Sequence, residues 1–177
     1  MGDCTNKMIE YIVKQLQTID QKFYKSLLNV GARDVNPGIL SVRDILKDIP
    51  EYVGIDLFEG KDVTRVMNAH DIKKNFKEGS FDLVVCTEML EHDDKFWISV
   101  ENMRWVTKPG GMMFISVPGG GAPFHEWPSD YWRFMKPGVE KFFEGWKDVH
   151  IESWDISAVY KDILGSVEIQ GAIIGWG

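Results

Sequence analysis

A chain of 177 residues, 44% hydrophobic and 27% charged, has the length and apolar content for one domain with one sizeable core. Its net charge of −7, from 20 basic and 27 acidic side chains, comes without a block of Lys or Arg, which argues against a nucleic-acid partner gripped by its phosphates. No apolar run reaches the ~20 residues a membrane helix needs, and MGDCTNKMIE fits neither a signal peptide nor a myristoylation site.

The cysteines, Cys4 and Cys86, suit a reducing cytoplasm, and Cys86 reads as a small buried hydrophobe. From Met8 to Phe23 apolar residues recur at helical spacing, with Thr5 as N-cap, so an amphipathic helix opens the chain. Ser26 to Ala32 is the first strand, and a helix is expected from about Pro37 to Asp48, ended by Pro50. Tyr52 to Leu57 is the second strand, and VTRVMNAHDI has room for a short third.

Phe81 to Met89 has a continuous apolar centre, as in a strand buried on both faces of a parallel sheet. Asp93 to Thr107 reads as a helix stopped by the turn KPGG, and Met112 to Pro118 as the next strand. A Gly- and Pro-rich loop follows to about Asp130, then a short helix near 137–145. Strands are expected near Asp148 to Trp154 and Val167 to Trp176. Alternating strands and helices predict an α/β sheet with helices on both faces.

The chemistry-bearing residues fall at the strand ends. Strand, Gly turn, helix, strand and terminal acid make the pattern of a nucleotide-cofactor site, with Gly31 exposing its N–H to the ligand and Asp56 accepting the ribose hydroxyls. Asp71 could accept an adenine amino group or cap the next helix. Thr87 and Glu88 follow the buried strand and face the crevice. Glu91, His92, Asp93 and Asp94 are acidic or metal-binding in type, but no further residue stands at the usual ligand spacing, so no metal is expected.

PFHEWPSDYWRF sets polar groups among aromatics on the same rim, as in a pocket lining. Asp130 and Arg133 can pair at i, i+3. His125 is the candidate base, because a histidine titrates near neutral pH.

Taken together, NVGARDVN, YVGIDL, NAHDI, GSFDLVVCTEMLEH, VTKPGGMMFISVP and HEWPSDYWRF resemble, in order, the class I S-adenosylmethionine-dependent methyltransferases. Within them the chain resembles small bacterial and phage-type members of the Methyltransferase-11 kind, often associated with glycan or cell-surface biosynthesis. The resemblance runs from about Ser26 to Gly145. It implies one Rossmann-like domain over 1–177, an N-terminal helix over 1–25 and a core over 26–177. The implied sheet is mostly parallel and seven-stranded, with an antiparallel C-terminal strand. The implied cofactor is S-adenosylmethionine, contacted by Gly31, Arg33, Asp56, Leu57, His70, Asp71, Thr87 and Glu88.

Carried over by position, Gly31 lies under the methionine part, Asp56 takes the ribose and Asp71 the adenine. Two departures stand in the first loop: Asn29 replaces the acid that commonly begins it, and Arg33 replaces its second glycine.

The expected reaction is methyl transfer to an oxygen or nitrogen of a small molecule, with a sugar or glycan precursor among the acceptors. His125 is expected to be catalytic, and Trp127, Tyr131 and Arg133 to meet the acceptor. Few residues are left for a substrate domain, so the acceptor must meet the N-terminal helix, the 119–134 loop or the partner of a homo-oligomer. The main alternative is a non-catalytic S-adenosylmethionine-binding or scaffolding protein of the same fold. A nicotinamide-dependent dehydrogenase would want the missing glycine triplet, and a nucleic-acid methylase a basic face or an N/D-P-P-Y-like turn.

Overall fold

The computed structural model describes residues 2–35, 38–125, 129–155 and 170–176. In chain order the strands are β1 (Ser26–Val30), β2 (Glu51–Asp56), β3 (Arg65–Val66), β4 (Phe81–Thr87), β5 (Thr107–Pro118), β6 (His150–Asp155) and β7 (Gln170–Trp176). The helices are α1 (Gly2–Leu16), α2 (Val42–Ile45), α3 (Ile72–Asn75), α4 (Phe96–Val106) and α5 (Lys136–Phe142). The strands form one sheet in the order β3-β2-β1-β4-β5-β7-β6. Neighbours from β3 to β5 are parallel, and β7 runs antiparallel to both β5 and β6. The architecture is an α/β Rossmann-like fold with a mostly parallel sheet.

Strand periodicity sorts the core into two layers. Leu27, Leu83, Val85 and Phe114 face one side, where Met8, Ile12 and Leu16 of α1 and Val42 and Ile45 of α2 pack on them. Leu28, Val84, Cys86, Met113 and Ile115 face the other, beneath Val100 and Met103 of α4 and Val139 and Phe142 of α5. Every residue of β1 is buried, as its position between two parallel neighbours requires.

Several element expectations are corrected. Thr5 lies inside α1, which begins at Gly2, and the helix stops at Leu16. The periodicity beyond it belongs to a turn and a short 3-10 segment, Gln21–Phe23, whose Phe23 is 72% exposed. The helix expected over 37–48 shrinks to Val42–Ile45, because its N-terminus is set by a capping box between Ser41 and Asp44. Pro37 lies outside the described residues, as do 167–169 at the expected start of the last strand.

KPGG is not a free turn after α4. It forms a bulge at the start of β5, where Phe81 pairs with Thr107 but Leu83 pairs with Met112.

Asp82 ties that bulge to the sheet. Its carboxylate accepts from the N–H groups of Lys25 and Ser26 at 3.0 Å each, from Ser26 Oγ at 2.9 Å and from Lys108 Nζ at 2.8 Å. Burial alone would raise this carboxyl, but the Lys108 ammonium, the Ser26 hydroxyl and the two backbone donors outweigh it and hold it at about 2. A depressed folded-state pKa contributes stability that is present above the ordinary carboxylate range and is lost as pH falls toward 2. Asp82→Ala is therefore expected to destabilise by ~2 kcal/mol at neutral pH, with the difference from wild type shrinking in acid. Urea unfolding at several pH values checks this, and a pH-independent difference would contradict it.

Candidate active site

At the C-terminal edge of the sheet the β1, β2 and β4 loops diverge around a cavity of about 610 Å³. This is where open parallel α/β sheets bind ligands. Gly31, Asp56, Leu57, Thr87, Glu88 and Met89 supply its sheet side. Met8, Ile12 and Leu16 of α1, with Val35, Ile39 and Leu40, supply an apolar side. Met67 to His70, with Ala122, Pro123, His125 and Tyr131, complete the wall. Among the described residues, no helix is long and apolar enough to cross a membrane.

Gly31 has φ +76, and a Cβ there would meet Met89 Cβ and Cγ at 2.7 Å. The glycine is thus required by backbone conformation and by close approach. Its N–H is not presented to a ligand as expected, because it donates to Ile55 O at 2.9 Å. Gly31→Val adds a branched side chain at positive φ and against Met89. It should destabilise the fold by at least ~2 kcal/mol, seen as a lower urea midpoint; an unchanged midpoint would contradict the packing argument.

Asp56 ends β2 with both carboxylate oxygens engaged from the backbone. Oδ1 accepts from Phe58 N at 3.0 Å and Oδ2 from Arg33 N at 3.3 Å. These bonds orient the carboxylate and leave each oxygen a further lone pair. The Arg33 side chain runs over the Phe58 ring, 5.7 Å from its centroid, and lines the cavity. Leu57 lies on the wall, half exposed. Asn29 also lines the cavity; its Nδ2 donates to Tyr52 Oη at 3.3 Å, and its Oδ1 is buried without a partner.

The 67–71 turn corrects one residue. Asp71 is not among the lining residues, and its carboxylate pairs with Lys74 Nζ at 2.6 Å. The 3-10 turn Ala69–Asp71 places Asn68, Ala69 and His70 on the wall instead. His70 Nε2 lies 2.9 and 3.0 Å from the two Asp93 oxygens, and Asp93 also accepts from Ser99 Oγ and Lys95 N. That lattice fastens the turn to the start of α4.

The loop after β5 divides. His125 and Tyr131 reach the cavity wall, and Trp127 lies outside the described residues. Arg133 does not line the cavity. It pairs with Asp130 and donates to the carbonyls of Ala122 and Pro123, so its donors are spent on shaping the loop. Trp132 donates to Asp93 O at 2.9 Å and packs edge-on against Phe96.

Behind Glu88 the fold assembles a group that sequence spacing did not reveal. Glu88 has φ +48, an uncommon conformation for a residue other than glycine, and both its carboxylate oxygens are buried without a hydrogen-bond partner. Burial and the nearby Glu91 charge push its pKa well up. Glu91 is fully buried, also with neither oxygen hydrogen-bonded. Its Oε1 lies 3.5 Å from His125 Nε2 and 3.6 Å from His92 Nε2. The two imidazole rings stand edge-to-face at 5.0 Å. Glu91 raises the pKa of His125, more than offsetting the burial that lowers it. His125 stands far from Glu91 and His92 in sequence, so only the tertiary fold could bring it to them.

Residues 39–115 match the model of the methyltransferase domain family. A search of curated protein sequences returns no match. Among solved structures, the chain resembles a S-adenosylmethionine-dependent methyltransferase from Archaeoglobus fulgidus at 14% identity and TM-score 0.66, covering 94% of this chain and 92% of that one. It also resembles Burkholderia thailandensis 1,6-didemethyltoxoflavin-N1-methyltransferase, solved with 1,6-didemethyltoxoflavin and S-adenosylhomocysteine. There the identity is 13% and the TM-score 0.62, with coverage of 93% and 76%. The chain therefore has the Rossmann-like fold of these methyltransferases, with its cavity at the strand ends where that fold binds ligands.

Proposed function

We propose that this chain transfers the methyl group of S-adenosylmethionine to an oxygen or nitrogen of a small molecule, a sugar or glycan precursor being the class the sequence resemblance suggests. The observation that carries the reading is the cavity at the sheet's C-terminal edge, which joins the Gly31 turn, the Asp56 carboxylate and the Glu88–His125 side in one space. The methyltransferase-domain match and the S-adenosylhomocysteine held by a structural relative support it.

In this assignment the Gly31 turn and Thr87 lie beside the methionine part, and Asp56 accepts the ribose hydroxyls. The Asn68–His70 turn, rather than Asp71, borders the adenine. Arg33 and Leu57 flank the nucleoside. The acceptor enters between Tyr131 and His125.

The sulfonium already activates the methyl carbon. An acceptor lone pair forms the new bond in line as the methyl C–S bond breaks toward sulfur, leaving a thioether. The protein must hold the two reactants in line, exclude water and help the acceptor lose its proton. His125 is the group assigned to acceptor activation.

Incubation with methyl-labelled S-adenosylmethionine and a panel of small hydroxyl and amine acceptors, sugars included, tests this. Saturable label transfer to one acceptor class is expected. Tight S-adenosylhomocysteine binding without transfer to any acceptor would favour a non-catalytic cofactor-binding protein.

A further inference from the structure

We propose that Glu91, His92 and His125 hold a first-row divalent transition-metal ion beside the methyl-transfer cavity. Glu91 Oε1, His92 Nε2 and His125 Nε2 converge, with ligand atoms of all three residues within 4.8 Å of one another. The two distances from Glu91 Oε1, 3.5 and 3.6 Å, are close to the ~3.3 Å edge of a tetrahedron built from 2.0–2.1 Å metal bonds. A small contraction onto an ion completes the site.

Three further observations point to a cation. First, the Glu91 carboxylate is fully buried, faces both rings and has no hydrogen-bond partner on either oxygen. A carboxylate in that state demands a positive charge. The neighbouring guanidinium, Arg133, is already taken by Asp130.

Second, each ring has its other nitrogen oriented from outside. His92 Nδ1 donates to Ser129 O at 2.5 Å, and His125 Nδ1 lies 3.3 Å from Pro123 O and 3.6 Å from Asp130 Oδ2. A proton on Nδ1 leaves the Nε2 lone pair of both rings aimed at the shared centre, the arrangement metal-binding histidines use. Third, Glu88 adds a second buried carboxylate without a partner on the same side of the cavity.

Two imidazoles and a carboxylate select Zn²⁺, Mn²⁺ or Fe²⁺ over the oxygen-seeking Mg²⁺ and Ca²⁺. Three protein ligands leave a position open, and His92 and His125 both line the cavity. The inference deepens the methyltransferase reading, on which its role in turnover rests: the open position takes an acceptor hydroxyl. The ion lowers that hydroxyl's pKa, its proton passes to solvent water, and the oxygen lone pair attacks the methyl carbon as the C–S bond breaks toward sulfur. An oxygen acceptor is thereby favoured over an amine.

The test is calorimetric titration of chelator-stripped protein with ZnCl₂, MnCl₂ and MgCl₂, with S-adenosylhomocysteine titrated separately. One site per chain for Zn²⁺ or Mn²⁺ at micromolar affinity or tighter is expected, with Mg²⁺ much weaker. Affinity should fall at least ~10²-fold in both Glu91→Gln and the half-exposed His125→Gln, each checked for a native thermal melt. Absence of Zn²⁺ and Mn²⁺ binding to the wild type overturns the proposal without reference to any variant. Binding that persists in two folded variants overturns it as well. Intact S-adenosylhomocysteine binding beside absent metal binding removes the ion and leaves the methyltransferase reading standing. Metal binding without S-adenosylhomocysteine binding removes that reading and leaves the metal centre.

Discussion

His125→Ala is expected to lower kcat by about 10²–10⁴ while leaving S-adenosylmethionine affinity nearly unchanged. The ring is 45% exposed on the cavity wall, with its Nε2 turned toward buried Glu91. It lies on the loop after β5, whereas Asp56, assigned to the nucleoside, ends β2. On the proposed role, its removal is expected to take away acceptor activation, whether the ring receives the proton itself or ligates an ion that makes the proton easier to lose. The cofactor's own contacts stay in place. The loop keeps its shape through the Asp130–Arg133 pair and the bonds from Arg133 to Ala122 O and Pro123 O. Steady-state kinetics beside a cofactor titration checks this. Equal losses in kcat and in cofactor affinity, with a lowered melting temperature, would make His125 a loop-holding residue.

Asp56→Ala is expected to weaken S-adenosylmethionine binding by about 10²-fold. Two hydrogen bonds from ribose hydroxyls to a carboxylate are charge-assisted, and losing both costs at least ~3 kcal/mol. The carboxylate is preorganised by Arg33 N and Phe58 N, so little ordering is needed on binding. Asp56→Asn keeps one acceptor oxygen and should fall between the two. Calorimetry on each variant reads the effect, and an affinity unchanged in Asp56→Ala would remove the ribose assignment.

The parallel core was legible because its strands are continuous apolar runs. LVVC in β4 and SLL in β1 can bury both faces of a sheet and little else. Strand-end residues were legible for the same reason: once β2 and β4 are placed, Asp56, Thr87 and Glu88 must stand at their C-terminal edge. Local competition hid the rest. The 37–48 segment has helical composition, yet the Ser41–Asp44 capping box starts its helix late and only four residues of α2 follow. KPGG has the residues of a terminating turn, but the Asp82–Lys108 pair holds it in the sheet as a bulge.

Asp71 and His70 are adjacent, so a single step of the 3-10 turn decides which one meets the cavity. The Glu91–His92–His125 cluster was out of reach of any local pattern. Glu91 and His92 sit in a short 3-10 turn, and His125 comes from a loop on the far side of β5. Tyr131 N bonded to Glu91 O at 2.8 Å and His92 Nδ1 bonded to Ser129 O are what draw that loop over the cluster.

Whether the cavity at the strand ends takes S-adenosylmethionine separates a methyltransferase from the other readings of this fold. Isothermal titration of the purified chain with S-adenosylmethionine and with S-adenosylhomocysteine decides the question. One site per chain is expected for both ligands, each excluding the other, with no comparable binding of a nicotinamide dinucleotide. Absence of binding for both, with a folded protein in the calorimeter, would remove the cofactor assignment.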